Sequence, residues 1–177
     1  NILIAAASAD GETVILNAAR EPEIADLADF LCSCGAHISG ADSGEITVCG
    51  MKKLHSAEHT VIPDRIIAST YMAAAAVTGG DVRILDTRAE HITPVIPVFE
   101  QAGCKVDCGE NSVHISAPVR LRSVQTVRTM PYPGFPTDSQ AAVMAMLSVA
   151  HGTSVMIENI FENRYRHVRE LCRLGAD

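Results

Sequence analysis

The sequence predicts an α/β fold of repeated βαβαββ-type units, with helices buried inside and sheets as outer walls. Three observations predict it: a recurring unit, helices that are apolar almost all round, and strands that alternate apolar and polar residues. The recurrence shows in two sets of segments. Gly11-Glu-Thr-Val-Ile-Leu matches Gly80-Asp-Val-Arg-Ile-Leu and Gly152-Thr-Ser-Val-Met-Ile. Leu31-Cys-Ser-Cys-Gly35 matches Phe99-Glu-Gln-Ala-Gly103 and Leu171-Cys-Arg-Leu-Gly175. The closing glycines fall roughly 70 residues apart, so one unit occurs nearly three times. The third copy is expected to be truncated, stopping before its last strands.

Each unit opens on an Ala-rich apolar helix, predicted over 2–9, 66–77 and 139–150, and a glycine ends it. A strand follows, over 13–17, 82–86 and 154–158. Next comes an amphipathic helix, over 22–34, 92–102 and 165–174. In the first of these, Ile24, Leu27, Ala28 and Leu31 form the buried stripe at helical spacing. Two strands close the unit: 36–39 with 45–49 across Asp42-Ser43-Gly44, and 105–107 with 112–116 across Gly109-Glu110-Asn111. Met144, Ala145, Met146 and Leu147 cover the whole circumference of their helix, which belongs inside. Glu45-Ile-Thr-Val-Cys49 alternates, the mark of a strand wet on one face. Pro63 and Asp64 mark the expected crossover between two lobes, 1–62 and 63–177.

Composition excludes several functions. Hydrophobic residues are 47% and charged residues 20%, which is too apolar for a disordered chain. A net charge of −7 and the absence of Trp leave no basic face and no stacking platform, so no nucleic-acid partner is expected. No apolar run reaches the roughly 18 residues of a membrane span, and none is expected to enter a membrane. The six cysteines make no framework: Cys32 and Cys34 face apart on a helix, and Cys104 and Cys108 stand too far apart on a strand. Reduced thiols and a cytoplasmic location are the expectation. The seven histidines show no ligand spacing, so no metal is expected. Neither GxxxxGK[ST] nor GxGxxG is present.

The sharpest local feature is Met130-Pro-Tyr-Pro-Gly-Phe-Pro-Thr-Asp138-Ser-Gln-Ala. Its prolines stiffen a loop, and Pro133-Gly134 suggests a type II turn. Thr137-Asp-Ser-Gln140 fits a capping box. Asp138 can therefore be a helix-stabilising acid or a carboxylate held ready to take a proton from a substrate hydroxyl. The stretch Glu158-Asn-Ile-Phe-Glu-Asn-Arg164-Tyr-Arg-His167 lies where a strand gives way to a helix. Arg164 and Arg166 there suit a phosphate or carboxylate, or a surface cluster with Glu162 and Glu170. Asn17–Glu23 and Asp64 are lesser candidates, Asp64 reading also as a helix cap. Cys104 reads as structural, with only Lys105 as a basic neighbour.

Four motifs carry a resemblance: Asn17-Ala-Ala-Arg-Glu-Pro-Glu-Ile24, Ile62-Pro-Asp-Arg-Ile66, Pro133-Gly-Phe-Pro-Thr-Asp-Ser-Gln-Ala141 and Ile160-Phe-Glu-Asn-Arg-Tyr-Arg-His-Val-Arg-Glu-Leu171. Together they resemble the UDP-N-acetylglucosamine enolpyruvyl transferases, over the whole 177 residues. The resemblance implies an inside-out α/β barrel fold of six units in two lobes, of which this chain would supply the middle. It implies transfer of the enolpyruvyl group of phosphoenolpyruvate to the 3′-hydroxyl of UDP-N-acetylglucosamine, the first committed step of peptidoglycan synthesis. Position by position it makes Asp138 the acid that contacts the sugar hydroxyl. Ile160 and Phe161 become pocket residues for the UDP-sugar, and Arg164 an arginine near phosphoenolpyruvate. No metal or organic cofactor is implied. The family's catalytic lysine and loop cysteine have no counterpart here, so this chain is expected to need the remainder of its own chain and to be inactive alone. Ile67, Ser69 and Arg166 depart from the family pattern, and a divergent paralogue is the alternative these departures raise. A related shikimate-pathway transferase would carry Lys-Glu-Ser-Asp-Arg near 161–165, where this chain reads Phe-Glu-Asn-Arg-Tyr. A non-catalytic sugar-nucleotide-binding module is the other alternative.

Overall fold

Alternation along two central strands sets both sheets. The structure, a computed structural model, describes residues 1–51 and 53–177. These fall into two compact units, Asn1–Ile62 and Pro63–Asp177.

In the first unit, β1 (Glu12–Leu16), β2 (His37–Ser39) and β3 (Glu45–Cys49) form an antiparallel sheet in the order β1-β3-β2. Ile46 and Val48 of β3 point inward and are almost fully buried, while Glu45 and Cys49 are exposed. The helices α1 (Ile2–Ala7) and α2 (Pro22–Ser33) complete the core with Leu3, Ala6, Ala7, Ala28 and Leu31. Pro22 occupies the start of α2, where its missing N–H costs nothing.

The second unit repeats the plan and extends it. Here β4 (Asp81–Leu85), β5 (Lys105–Gly109) and β6 (Ser112–Ser116) form an antiparallel sheet in the order β4-β6-β5. Val113 and Ile115 of β6 are fully buried beneath it. They meet α3 (Arg65–Thr78), whose alanines at 68, 73, 75 and 76 allow close approach. Asp64 caps α3, its Oδ1 accepting from the Ile66 and Ile67 amides at 2.8 and 3.0 Å. Gly79 ends the helix in the left-handed region at φ 64°. One face of α3 stays open, with Ile67 and Tyr71 more than half exposed.

The helix predicted over 92–102 is two shorter ones, α4 (Ala89–Ile92) and α5 (Ile96–Gln101). Pro94 and Pro97 lack the N–H groups that a continuous helix would aim at Glu90 and Thr93. The Thr93 hydroxyl bonds the Ala89 and Glu90 carbonyls instead.

After the second sheet the chain adds β7 (Thr126–Arg128), a strand absent from the sequence reading. It pairs in parallel with β8 (Val155–Ile157), as a crossover through a helix allows. That helix is α6 (Gln140–Leu147), entered through a 3-10 helix, Thr137–Ser139. It packs on α3 through Val143 and Met146. The last helix, α7 (Arg166–Arg173), follows β8.

Candidate active site

The prolines of residues 130–136 fold the loop back on itself. Met130 N–H donates to the Phe135 carbonyl at 3.0 Å, and Gly134 N–H to the Pro131 carbonyl at 2.8 Å. The Tyr132–Pro133 bond is cis, and Gly134 does not have the positive φ that the type II turn expected at Pro133-Gly134 requires, so that turn does not form. Gly134 is required by crowding: a Cβ there would meet Met130 Cβ at 2.5 Å. Tyr132 lies against the buried Arg65, whose guanidinium sits 5.6 Å from the ring centre.

This loop delivers Asp138 to the middle of the 3-10 helix, between two anchored neighbours. Thr137 Oγ1 donates to Glu158 Oε2 at 2.8 Å, and the buried Ser139 hydroxyl lies 2.7 Å from that of Ser69 on α3. No side chain caps the 3-10 helix or α6, so the expected capping box does not form: Thr137 spends its hydroxyl on Glu158. The Asp138 side chain is about half exposed, and its Oδ1 accepts from Arg164 Nη2 at 2.6 Å.

Arg164 in turn lies over the Phe161 ring, 5.2 Å from its centre. Three of the four residues singled out from the sequence therefore meet through side chains: Asp138, Arg164 and Phe161. Ile160 sits beside them in the chain, partly exposed, and is held through its backbone. Arg166 and Glu170 do not pair; Glu170 bonds Arg173 at 2.6 Å.

Glu158 was part of the predicted stretch but not singled out, and it holds the segment together. Its Oε1 accepts from the Ile160 amide at 2.8 Å, the Phe161 amide at 3.2 Å and Thr129 Oγ1 at 2.9 Å. Thr129, fully buried at the end of β7, also receives the Asn159 amide at 2.8 Å. Tyr165 OH accepts from the Glu158 amide at 2.7 Å and donates to the Met156 carbonyl. Burial pushes the Glu158 carboxyl up, but the Ile160 amide, the Thr137 and Thr129 hydroxyls and the Phe161 amide outweigh it. The group is held below its ordinary value. No pattern in the sequence marks this residue, because its partners lie up to 29 positions away.

A hollow of about 720 Å³ opens beside α6, β8 and α7, lined by Met144, Leu147, Met156, Val168 and Leu171 among others. None of Asp138, Ile160, Phe161 and Arg164 lines it. Among the described residues no group of three or more His, Cys, Asp or Glu side chains is arranged to hold a metal. Cys104 is buried, and burial pushes its thiol up, which leaves it a poor nucleophile.

Comparison with known proteins gives a consistent relationship. The chain is 51% identical over 177 residues to "UDP-N-acetylglucosamine 1-carboxyvinyltransferase 1" of Caldanaerobacter subterraneus subsp. tengcongensis. It is 49% identical over 177 residues to the "UDP-N-acetylglucosamine 1-carboxyvinyltransferase" of Geotalea daltonii. In both cases all of this chain is matched but only 42% of the relative, so the chain spans well under half the length of these proteins. Among solved structures, the enolpyruvyl transferase NikO from Streptomyces tendae superposes with a TM-score of 0.82 at 25% identity, over 96% of this chain and 41% of NikO. An EPSP synthase from Acinetobacter baumannii shares the fold, with a TM-score of 0.57 over 88% of this chain and 37% of its own. The inside-out arrangement of helices and sheets is thus that of the enolpyruvyl transferases. The family model described as EPSP synthase (3-phosphoshikimate 1-carboxyvinyltransferase) matches residues 1–177, and the chain belongs to that family.

Proposed function

We propose that this chain forms part of a transferase that moves the enolpyruvyl group of phosphoenolpyruvate onto the 3′-hydroxyl of UDP-N-acetylglucosamine. The observation that carries the reading is the pairing of Asp138 with Arg164 beside Phe161, at the positions the family resemblance singles out. The names of the relatives near 50% identity favour the sugar nucleotide over shikimate 3-phosphate as acceptor.

In this reading Asp138 accepts the proton of the 3′-hydroxyl as its oxygen bonds to C2 of phosphoenolpyruvate. A proton reaches C3 from a group outside these 177 residues, giving a tetrahedral adduct. C3 then loses a proton, the C2–O bond to phosphate breaks, and phosphate leaves. Arg164, once released from Asp138, offers its guanidinium to the anionic substrate. Ile160 and Phe161 form an apolar wall for the sugar nucleotide. The remaining catalytic groups lie on the rest of the protein, and 1–62 and 63–177 belong to its two lobes. The reading places the reaction in the cytoplasm, at the entry to peptidoglycan synthesis, and needs no metal or organic cofactor.

The test is Asp138→Asn in the full-length chain carrying this sequence. Phosphate release with UDP-N-acetylglucosamine should fall at least about a hundredfold, in line with loss of a general base. The melting temperature should stay within a few degrees. Turnover that persists in this variant, or that accepts shikimate 3-phosphate instead, would defeat the assignment.

A further inference from the structure

Asp138 and the Ile160–Arg164 segment lie on different elements, and a proton acceptor displaced by about 1 Å can lose a hundredfold in rate. Something must fix the distance between them. The Asp138–Arg164 ion pair is poorly suited to this, because Arg164 must turn to a substrate and the pair is solvent-exposed.

Glu158 meets the requirement geometrically. One oxygen takes the Thr137 hydroxyl, immediately before Asp138. The other takes the amides of Ile160 and Phe161 and the hydroxyl of Thr129. A single carboxylate thus joins the end of β7, the 3-10 helix and the loop after β8. Four donors on one anion hold it in one orientation, and hydrogen bonds to a charged acceptor are among the stronger ones. Ser69 fixes the other side of the same turn through Ser139.

We propose that Glu158 is a positioning residue: it sets the placement of Asp138 relative to Ile160, Phe161 and Arg164 and takes no part in the chemistry itself. The inference rests on the proposed function, since it assumes that Asp138 is the base.

Two cuts and one conservative change test it in the full-length chain. Thr137→Val removes only the link to the Asp138 turn. Glu158→Ala removes all four bonds. Glu158→Gln keeps one carbonyl for Thr129 and the amides, and its NH2 can donate to a reoriented Thr137 hydroxyl. Per folded molecule, Thr137→Val and Glu158→Ala should each lower kcat about tenfold or more, with KM for phosphoenolpyruvate little changed. Combined, they should cost no more than Glu158→Ala alone, because both sever the same link. Glu158→Gln should recover most of the activity. The role is overturned if Thr137→Val keeps the parent kcat, if the two effects multiply, or if Gln is as damaging as Ala, which would put the charge itself in the chemistry. Should Glu158→Ala fail to fold, Thr137→Val and Glu158→Gln decide between them. Amide exchange in the full-length chain gives a readout without turnover: Glu158→Ala should speed exchange at Ile160 and Phe161 at least about tenfold. If Asp138→Asn stays active while that exchange accelerates, the function assigned to Asp138 falls and the clamp itself survives.

Discussion

At Asp138 the backbone is held from both sides while the carboxylate stays open. Thr137 is tied to Glu158 and Ser139 to Ser69, so the side chain between them has no burial to gain and turns to solvent and Arg164. Ser69 supplies the anchor from α3. Its hydroxyl is buried, donates to the Ile66 carbonyl at 2.9 Å and meets Ser139 at 2.7 Å. Ser69→Ala should therefore leave the Ser139 hydroxyl short of a partner and cost about 1 kcal/mol. Denaturant unfolding of the parent and the variant measures this, and an unchanged midpoint would mean the pair contributes nothing.

Among the elements, helix entry is decided by single side chains. Asp64 holds two amides of α3, and Asp64→Ala should cost about 1 kcal/mol, read as a lower unfolding midpoint with an unchanged slope. This cap was legible in Pro63-Asp-Arg, as were the strands of both three-stranded sheets and their closing hairpins, because alternation and turn residues are local signals, while the pairing of β1 with β3 and of β4 with β6 was not. The strand β7 was not: three residues with one buried side chain make no pattern, and the parallel partner lies beyond a helix. The single helix read over 92–102 failed because its apolar spacing is helical on both sides of Pro94, while the break depends on an absent N–H. The motifs reached Asp138, Phe161 and Arg164, but their meeting depends on contacts between segments. For the same reason Glu158 stayed hidden among residues that looked more reactive.

The whole molecule carries an acid sensitivity that these contacts localise. In the second unit, two carboxyls are held below their ordinary values, and both ionised forms are favoured by the fold. Asp81 is held down by hydrogen bonds from His114 at 2.8 Å and from Ser116, which outweigh a small opposing effect of burial. Glu158 is held down by the amides and hydroxyls around it, against burial. A carboxyl with a lowered folded value stabilises the protein above its unfolded value, and that stabilisation disappears as pH falls through the folded one. The losses should therefore begin near the ordinary values, 4.5 for Glu158 and 3.8 for Asp81, and grow below them. His114 also faces Asp107, with Nδ1 3.7 Å from Oδ2. Amide exchange followed from pH 7 to pH 3 should show protection failing first at Ile160 and Phe161. The β4–β6 pairs near Asp81 should follow at lower pH. Glu158→Gln should abolish the first step and leave the second, because a neutral amide has no proton to gain there. An acid transition in that variant with both steps intact would mean that other groups govern the acid response.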